Sequence, residues 1–148
     1  MYSQEDILKF VNLVAEVVDP DRIILFGSYA YGEPTDNSDI DLLVIKNGKD
    51  ITIDDETQYA VAIHRARRDR QVKPRYDVFF STDSQAEEIA SRGGAYVDAL
   101  QKGKVIYERM WSKYVREDAG CRRVGLISAI QTGWFLKSLE LSGFFGSR

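Results

Sequence analysis

The chain of 148 residues contains one cysteine and one histidine, which leaves little room for thiol or imidazole chemistry. A single thiol, Cys121, can build neither a disulfide framework nor a cysteine-based metal site, and it suits a reducing, cytosolic setting. His64 has no companion ligands, and nothing in the sequence sets it beside Cys121, so a Cys–His nucleophilic hydrolase lacks its machinery. No Gly-x-x-x-x-Gly-Lys-Ser/Thr run occurs, which excludes a P-loop enzyme. Long apolar runs are missing too. The longest, Val124–Leu136, is too short for a bilayer, which takes about 18–20 residues, so a soluble cytoplasmic protein is expected. The opening MYSQEDILKF lacks the basic-then-apolar layout of a secretory leader. There is no internal repeat and no low-complexity segment.

Charge is present but uneven. The net charge is −3. Residues 1–109 hold 14 basic and 20 acidic side chains, and residues 110–148 hold 6 and 3. An acidic front part argues against general nucleic-acid binding, where lysine and arginine must neutralise phosphates, and it suits a protein that gathers divalent cations. The hydrophobic share, 44%, is that of an ordinary globular domain, and the length fits one such domain with its own core.

Periodicity divides residues 1–109 into alternating helices and strands. Ser3 with Asp6 marks a helix start, Ile7, Phe10, Val11, Val14, Val17 and Val18 recur at helical spacing, and Asp19-Pro20 closes the element. Arg22–Phe26 and Ser38–Ile45 read as strands joined by the glycine-, proline- and asparagine-bearing stretch 28–37. The run LLVI is apolar on both faces, which places the second strand centrally. A helix is expected over 54–70, with Tyr59, Ala60, Ile63 and Ala66 inward, and a strand over Tyr76–Phe80. Ser84 and Glu87 match a capping box for a helix over 85–91. A short helix over Tyr96–Lys102 and a strand over Val105–Tyr107 follow. The fold expected is α+β, a mixed central sheet flanked by helices. Residues 110–148 are expected to be a C-terminal tail, with an amphipathic helix expected over 124–141 that Gly125 and Gly133 would weaken, and they carry no readable motif.

Three carboxylates carry the chemistry. Asp39 and Asp41 lie two apart at the head of a strand and so share a face, and Asp77 stands in the same relation to the third strand. Crowded carboxylates repel one another unless some protonate or a dication intervenes. Mg²⁺ takes oxygen ligands and substrate phosphates together, and two such ions can clamp a phosphoryl-type displacement. Gly27, lacking a Cβ, permits close approach of backbone to ligand, and Ser28 adds a hydroxyl at the start of a turn whose N–H groups favour phosphate. Gly32 lets the chain turn back toward the second strand.

The run GSYAYGEPTDNSDIDLLV resembles the signature of the polymerase-β-like nucleotidyltransferase superfamily, Gly-Ser, a loop, then Asp-x-Asp. It looks most like the minimal nucleotidyltransferases paired with HEPN toxins, over about residues 5–109 and including GKVIYER. The resemblance implies that Gly27 and Ser28 hold the triphosphate of ATP and that Asp39 and Asp41 bind two Mg²⁺ ions. It implies that Asp77 completes the metal site and helps to activate an incoming hydroxyl. It further implies transfer of AMP to a hydroxyl on a partner protein, a tyrosine of a HEPN-type toxin, by a protein that acts as its antitoxin. Many members place arginine where this chain has Tyr31.

Plainer roles stand beside these. Asp39 and Asp41 could merely cap a turn, Asp77 could pair with Arg75 on the surface, and Ser28 could be a simple helix cap. Tyr29 and Tyr31 either flank a nucleotide base or cover core. The cluster Arg65, Arg67, Arg68, Arg70, Lys73 and Arg75 reads first as a solvated face, and otherwise as a dock for an acidic partner or a route for triphosphate. Two other functions stay open: a non-catalytic nucleotide-binding antitoxin, and a small-molecule nucleotidyltransferase of the aminoglycoside type. The latter would need the tail or a second subunit, as in a homo-oligomer, to form its acceptor pocket.

Overall fold

The computed structural model describes residues 1–109. Helix α1 (Gln4–Val18) starts at the expected Ser3–Asp6 capping box, buries Ile7, Phe10, Val11, Val14 and Val18, and ends where Asp19 turns left-handed at φ 52°. Strand β1 (Arg22–Phe26) leads into a single helical turn, α2 (Ser28–Tyr31). Next come β2 (Ile40–Ile45), α3 (Ile53–Asp69), β3 (Tyr76–Ser81), α4 (Asp83–Ala90), α5 (Ala95–Lys102) and β4 (Lys104–Glu108). The predicted helix over 124–141 lies outside the described residues.

The four strands form one mixed sheet in the order β3-β2-β1-β4. β1 runs antiparallel to both β2 and β4, whereas β2 and β3 are parallel and joined through α3. β2 is therefore central, as its two-sided apolar run requires. Alternate side chains feed two cores. Ile23, Leu25, Ile40, Leu42 and Val44 pack with α1 and with Ile63 of α3. Ile24, Phe26, Leu43 and Ile45 pack on the other face, under Ala86 of α4 and Ala99 of α5. Both α4 and α5 meet the sheet through alanine, which lets them sit close.

Three expectations shift. β2 begins at Ile40, because Ser38 is spent on a turn: its N–H donates to Thr35 O and its Oγ accepts from Thr35 N. Asp39 therefore stands just before the strand. β3 runs on to Ser81 and α4 follows at once, capped two residues earlier than expected, by Thr82 with Gln85 and not by Ser84 with Glu87. On α3 only Ile63 is buried, and Ala60 is exposed. Among the described residues no helix is long and apolar enough to cross a membrane.

Candidate active site

The parallel pairing of β2 with β3 sets Asp41 directly opposite Asp77, both on the sheet face that carries Leu43 and Phe79. On its other side Asp41 is registered with Phe26, the last residue of β1. Its carboxyl is pushed up to about 6, first by burial, then by the charges of Asp77 and of Asp39. That coupling is the electrostatic sign that the three acids lie near one another. Their environments differ: Asp77 is exposed, and Asp41 is half-buried.

Asp39 has a different neighbour. Arg75 Nε stands 3.0 Å from its Oδ1, and the same guanidinium donates to Asn37 O. Arg75, the alternative surface partner considered for Asp77, is thus paired with Asp39. Asp39 Oδ1 is nonetheless buried without a hydrogen bond among the described residues, since the approach from Arg75 is an ionic contact off the hydrogen-bond direction.

Gly27 binds the loop to this cluster. Its φ of 69° and ψ of −156° belong to glycine alone, and a Cβ built there would overlap Asp41 Oδ2 and stand 3.0 Å from Asp41 Cγ. The following turn closes through Ala30 N and Tyr31 N, which donate to Gly27 O at 3.1 and 3.2 Å. Gly32 N then donates to Ser28 O, and a Cβ at Gly32 would lie 2.9 Å from Ser28 Cα. Ser28 and Tyr31, three apart, share one side of the turn. Tyr29 points the other way: it is buried, stacks on Tyr2 with ring centres 6.0 Å apart, and its OH accepts from Tyr2 N. Of the two tyrosines, Tyr29 is core. Tyr31 is 44% exposed, with Lys102 Nζ 5.7 Å from its ring centre.

Tyr2 and Lys102 escaped the sequence reading, and Arg75 entered it only as a partner for Asp77 and a member of the basic cluster. Tyr2 receives Arg75 N on its OH, Arg75 turns to Asp39, and Lys102 covers Tyr31. Each joins segments far apart in the chain, and no local signal announces them. The basic cluster largely spends its charge within the molecule: Arg70 pairs with Glu16, Arg68 with Asp69, and Arg67 lies over the Tyr76 ring. His64 is exposed.

Among the described residues no three His, Cys, Asp or Glu side chains already stand as a metal-ligating set. The donors nevertheless fit a hard dication. They are all carboxylate oxygens, Asp41 is held high by burial and then by its anionic neighbours, and Asp39 Oδ1 is buried without a hydrogen bond. A cation would relieve both features, and Asp39 would have to exchange Arg75 for it.

The model of the family described as polymerase beta, nucleotidyltransferase matches residues 9–110. A solved chain from Sulfolobus solfataricus, provisionally assigned as a nucleotidyltransferase, is 18% identical with a TM-score of 0.44, over 71% of this chain and 86% of that one. No curated protein matches.

Proposed function

This chain belongs to the polymerase beta nucleotidyltransferase family, and on that premise we propose that it transfers AMP from ATP to a hydroxyl on a partner protein. The observation that carries the reading is the facing of Asp41 and Asp77 across β2 and β3, with Gly27 closed against Asp41. Asp39, Asp41 and Asp77 would hold two Mg²⁺ ions. When bound, these would neutralise the triphosphate and stabilise charge on the attacking and leaving oxygens. Gly27 and Ser28 would seat the triphosphate, glycine by giving it room and serine by donating its hydroxyl. Asp77, the exposed member, would take the proton of the acceptor hydroxyl. That oxygen bonds to the α-phosphorus, the bond from the α-phosphorus to its bridging oxygen breaks, and pyrophosphate leaves. Little covalent work falls to the protein, so position and charge supply most of the rate.

The resemblance to minimal nucleotidyltransferases directs the acceptor reading toward a HEPN-type toxin in the cytoplasm, with AMP transfer as the neutralising act. Incubating the chain with α-labelled ATP, Mg²⁺ and a HEPN-type protein from the same genome should place label on that protein. The Asp39→Asn/Asp41→Asn variant should place none and should fail to neutralise. Full neutralisation by that variant would instead identify a non-catalytic antitoxin.

A further inference from the structure

β3 is an edge strand. It pairs with β2 and, among the described residues, with no other strand. The parallel ladder fixes which of its groups are free. Ile40 N donates to Arg75 O and Lys46 N to Ser81 O, so the alternate set 75, 77, 79, 81 bonds toward β2. The backbone groups of Tyr76, Val78 and Phe80 therefore face outward. Among the described residues only the far end is capped, by Tyr96 OH against Phe80 O at 3.5 Å. Beside this edge runs a groove lined by Val78 and Phe80 on the strand and by Glu56, Thr57 and Ala60 on α3. An edge of this kind is a ready template for another extended chain.

What distinguishes this edge is its head. Asp77 sits within β3, on the face shared with Asp41. A strand added to the free edge would lie about 4.8 Å away, and its side chains opposite Asp77 would come about 5 Å from that carboxylate's Cβ. We propose that the free edge of β3 docks the acceptor itself: an extended segment of the acceptor protein pairs with Val78 and Phe80 and sets its hydroxyl side chain beside Asp77. The inference rests on the nucleotidyl-transfer reading above and deepens it by naming how the acceptor is held. Backbone pairing explains how an acceptor could be gripped by a chain whose described residues hold no separate acceptor domain.

Charge selects the occupant. Glu56 lines the groove on the α3 side and is exposed, while Asp77 lies on the opposite face of the strand. A residue next to the hydroxyl residue points to the groove side, so lysine or arginine there complements Glu56. A second copy, paired symmetrically about Val78, would set Glu56 against its own copy.

Two substitutions test the edge without touching the acids. Val78→Pro removes the outward N–H donor at a position where an edge strand accepts proline, and Ala60→Arg fills the groove from an exposed helix site. Both should bind Mg·ATP in calorimetry with unchanged Kd. Both should label the partner protein at least tenfold more slowly at subsaturating concentration. Hydrogen exchange should show the Val78 and Phe80 amides open in the free chain and protected once the partner is added. Undiminished labelling by both variants, no protection on adding the partner, or amides already protected in the free chain would each overturn the docking. A wild-type chain that ignores Mg·ATP would overturn the reading beneath it. One that binds Mg·ATP yet leaves the partner unlabelled would overturn the protein acceptor and the docking together.

Discussion

Gly27 and Asp41 are locked by the absence of one carbon: a Cβ on the glycine would overlap Asp41 Oδ2. Strand β1 ends and the loop begins against the central carboxylate of the cluster, so backbone and acid are one unit. Gly27→Ala must adopt a φ of 69° with ψ −156° and push the carboxylate away as well. It should lose about 1–3 kcal/mol of stability and at least a hundredfold in nucleotidyl transfer. Urea unfolding and label transfer measured on one preparation check both. Unaltered transfer would separate the glycine from the site.

Asp41 gives the metal-free protein a distinctive pH response. Its folded value is raised from 3.8 to about 6 by burial and by Asp77 and Asp39. Below about 4 the group is protonated in both folded and unfolded chains. Between about 4 and 6 the unfolded chain gives up its proton while the folded one keeps it, so stability falls as pH rises through this window. Asp41→Asn removes the effect. At pH 7.5 and without metal the variant should be more stable by about 1 kcal/mol, allowing for the partial exposure of the group, while losing its transfer activity. Melting curves from pH 4 to 8 in EDTA should converge at the acid end and diverge above pH 6.

Asp77 should behave differently because it is exposed. Asp77→Asn should leave stability within about 0.5 kcal/mol, the usual range for a surface change. Transfer should fall by about 10²–10⁴, the range for loss of a positioned base. A comparable loss of fold and activity together would make Asp77 structural.

Much of the fold is legible in the sequence. The LLVI run could not face water on either side, so it had to be central, and Gly27-Ser28 with Asp39, Asp41 and Asp77 stood out because acids at strand heads have no local reason to gather. What was not legible was set by long-range pairing. Asp39 falls outside β2 because Ser38 is bound to Thr35, a choice between turn and strand that alternation cannot decide. Thr82 takes the cap of α4 at once after β3, which runs one residue beyond its apolar run, to Ser81. The meeting of Lys102 with Tyr31 depends on where α5 returns, which no window of sequence contains.

That return is itself testable at Gly103, which joins α5 to β4. A Cβ there would overlap Ala99 O and stand 2.5 Å from Ile24 Cγ2, both fixed by the core. Its backbone is ordinary extended geometry, φ −63° and ψ 158°, so the obstacle is space alone. Gly103→Ala should cost about 1–3 kcal/mol, as overpacking does, and lower the melting temperature without altering Mg·ATP affinity per folded molecule.

Arg75 makes the sharpest test of the proposed cation site. It is an exposed residue whose Nε lies 3.0 Å from Asp39 Oδ1, and in the proposed site Asp39 would leave it to take part in binding Mg²⁺. Exposed pairs of this kind contribute about 0.2–1 kcal/mol. Removing the competitor with Arg75→Gln should therefore tighten Mn²⁺ or Mg²⁺ binding by up to about fivefold, since 1.4 kcal/mol corresponds to tenfold. The same substitution frees Asn37 O and Asp39 from one guanidinium, so a small fall in melting temperature should accompany the gain, and added metal should reverse it. Calorimetric titration with Mn²⁺ alone, before any nucleotide is present, isolates the effect. Weaker metal binding in the variant would mean that Arg75 orients Asp39 for the ion and does not compete with it.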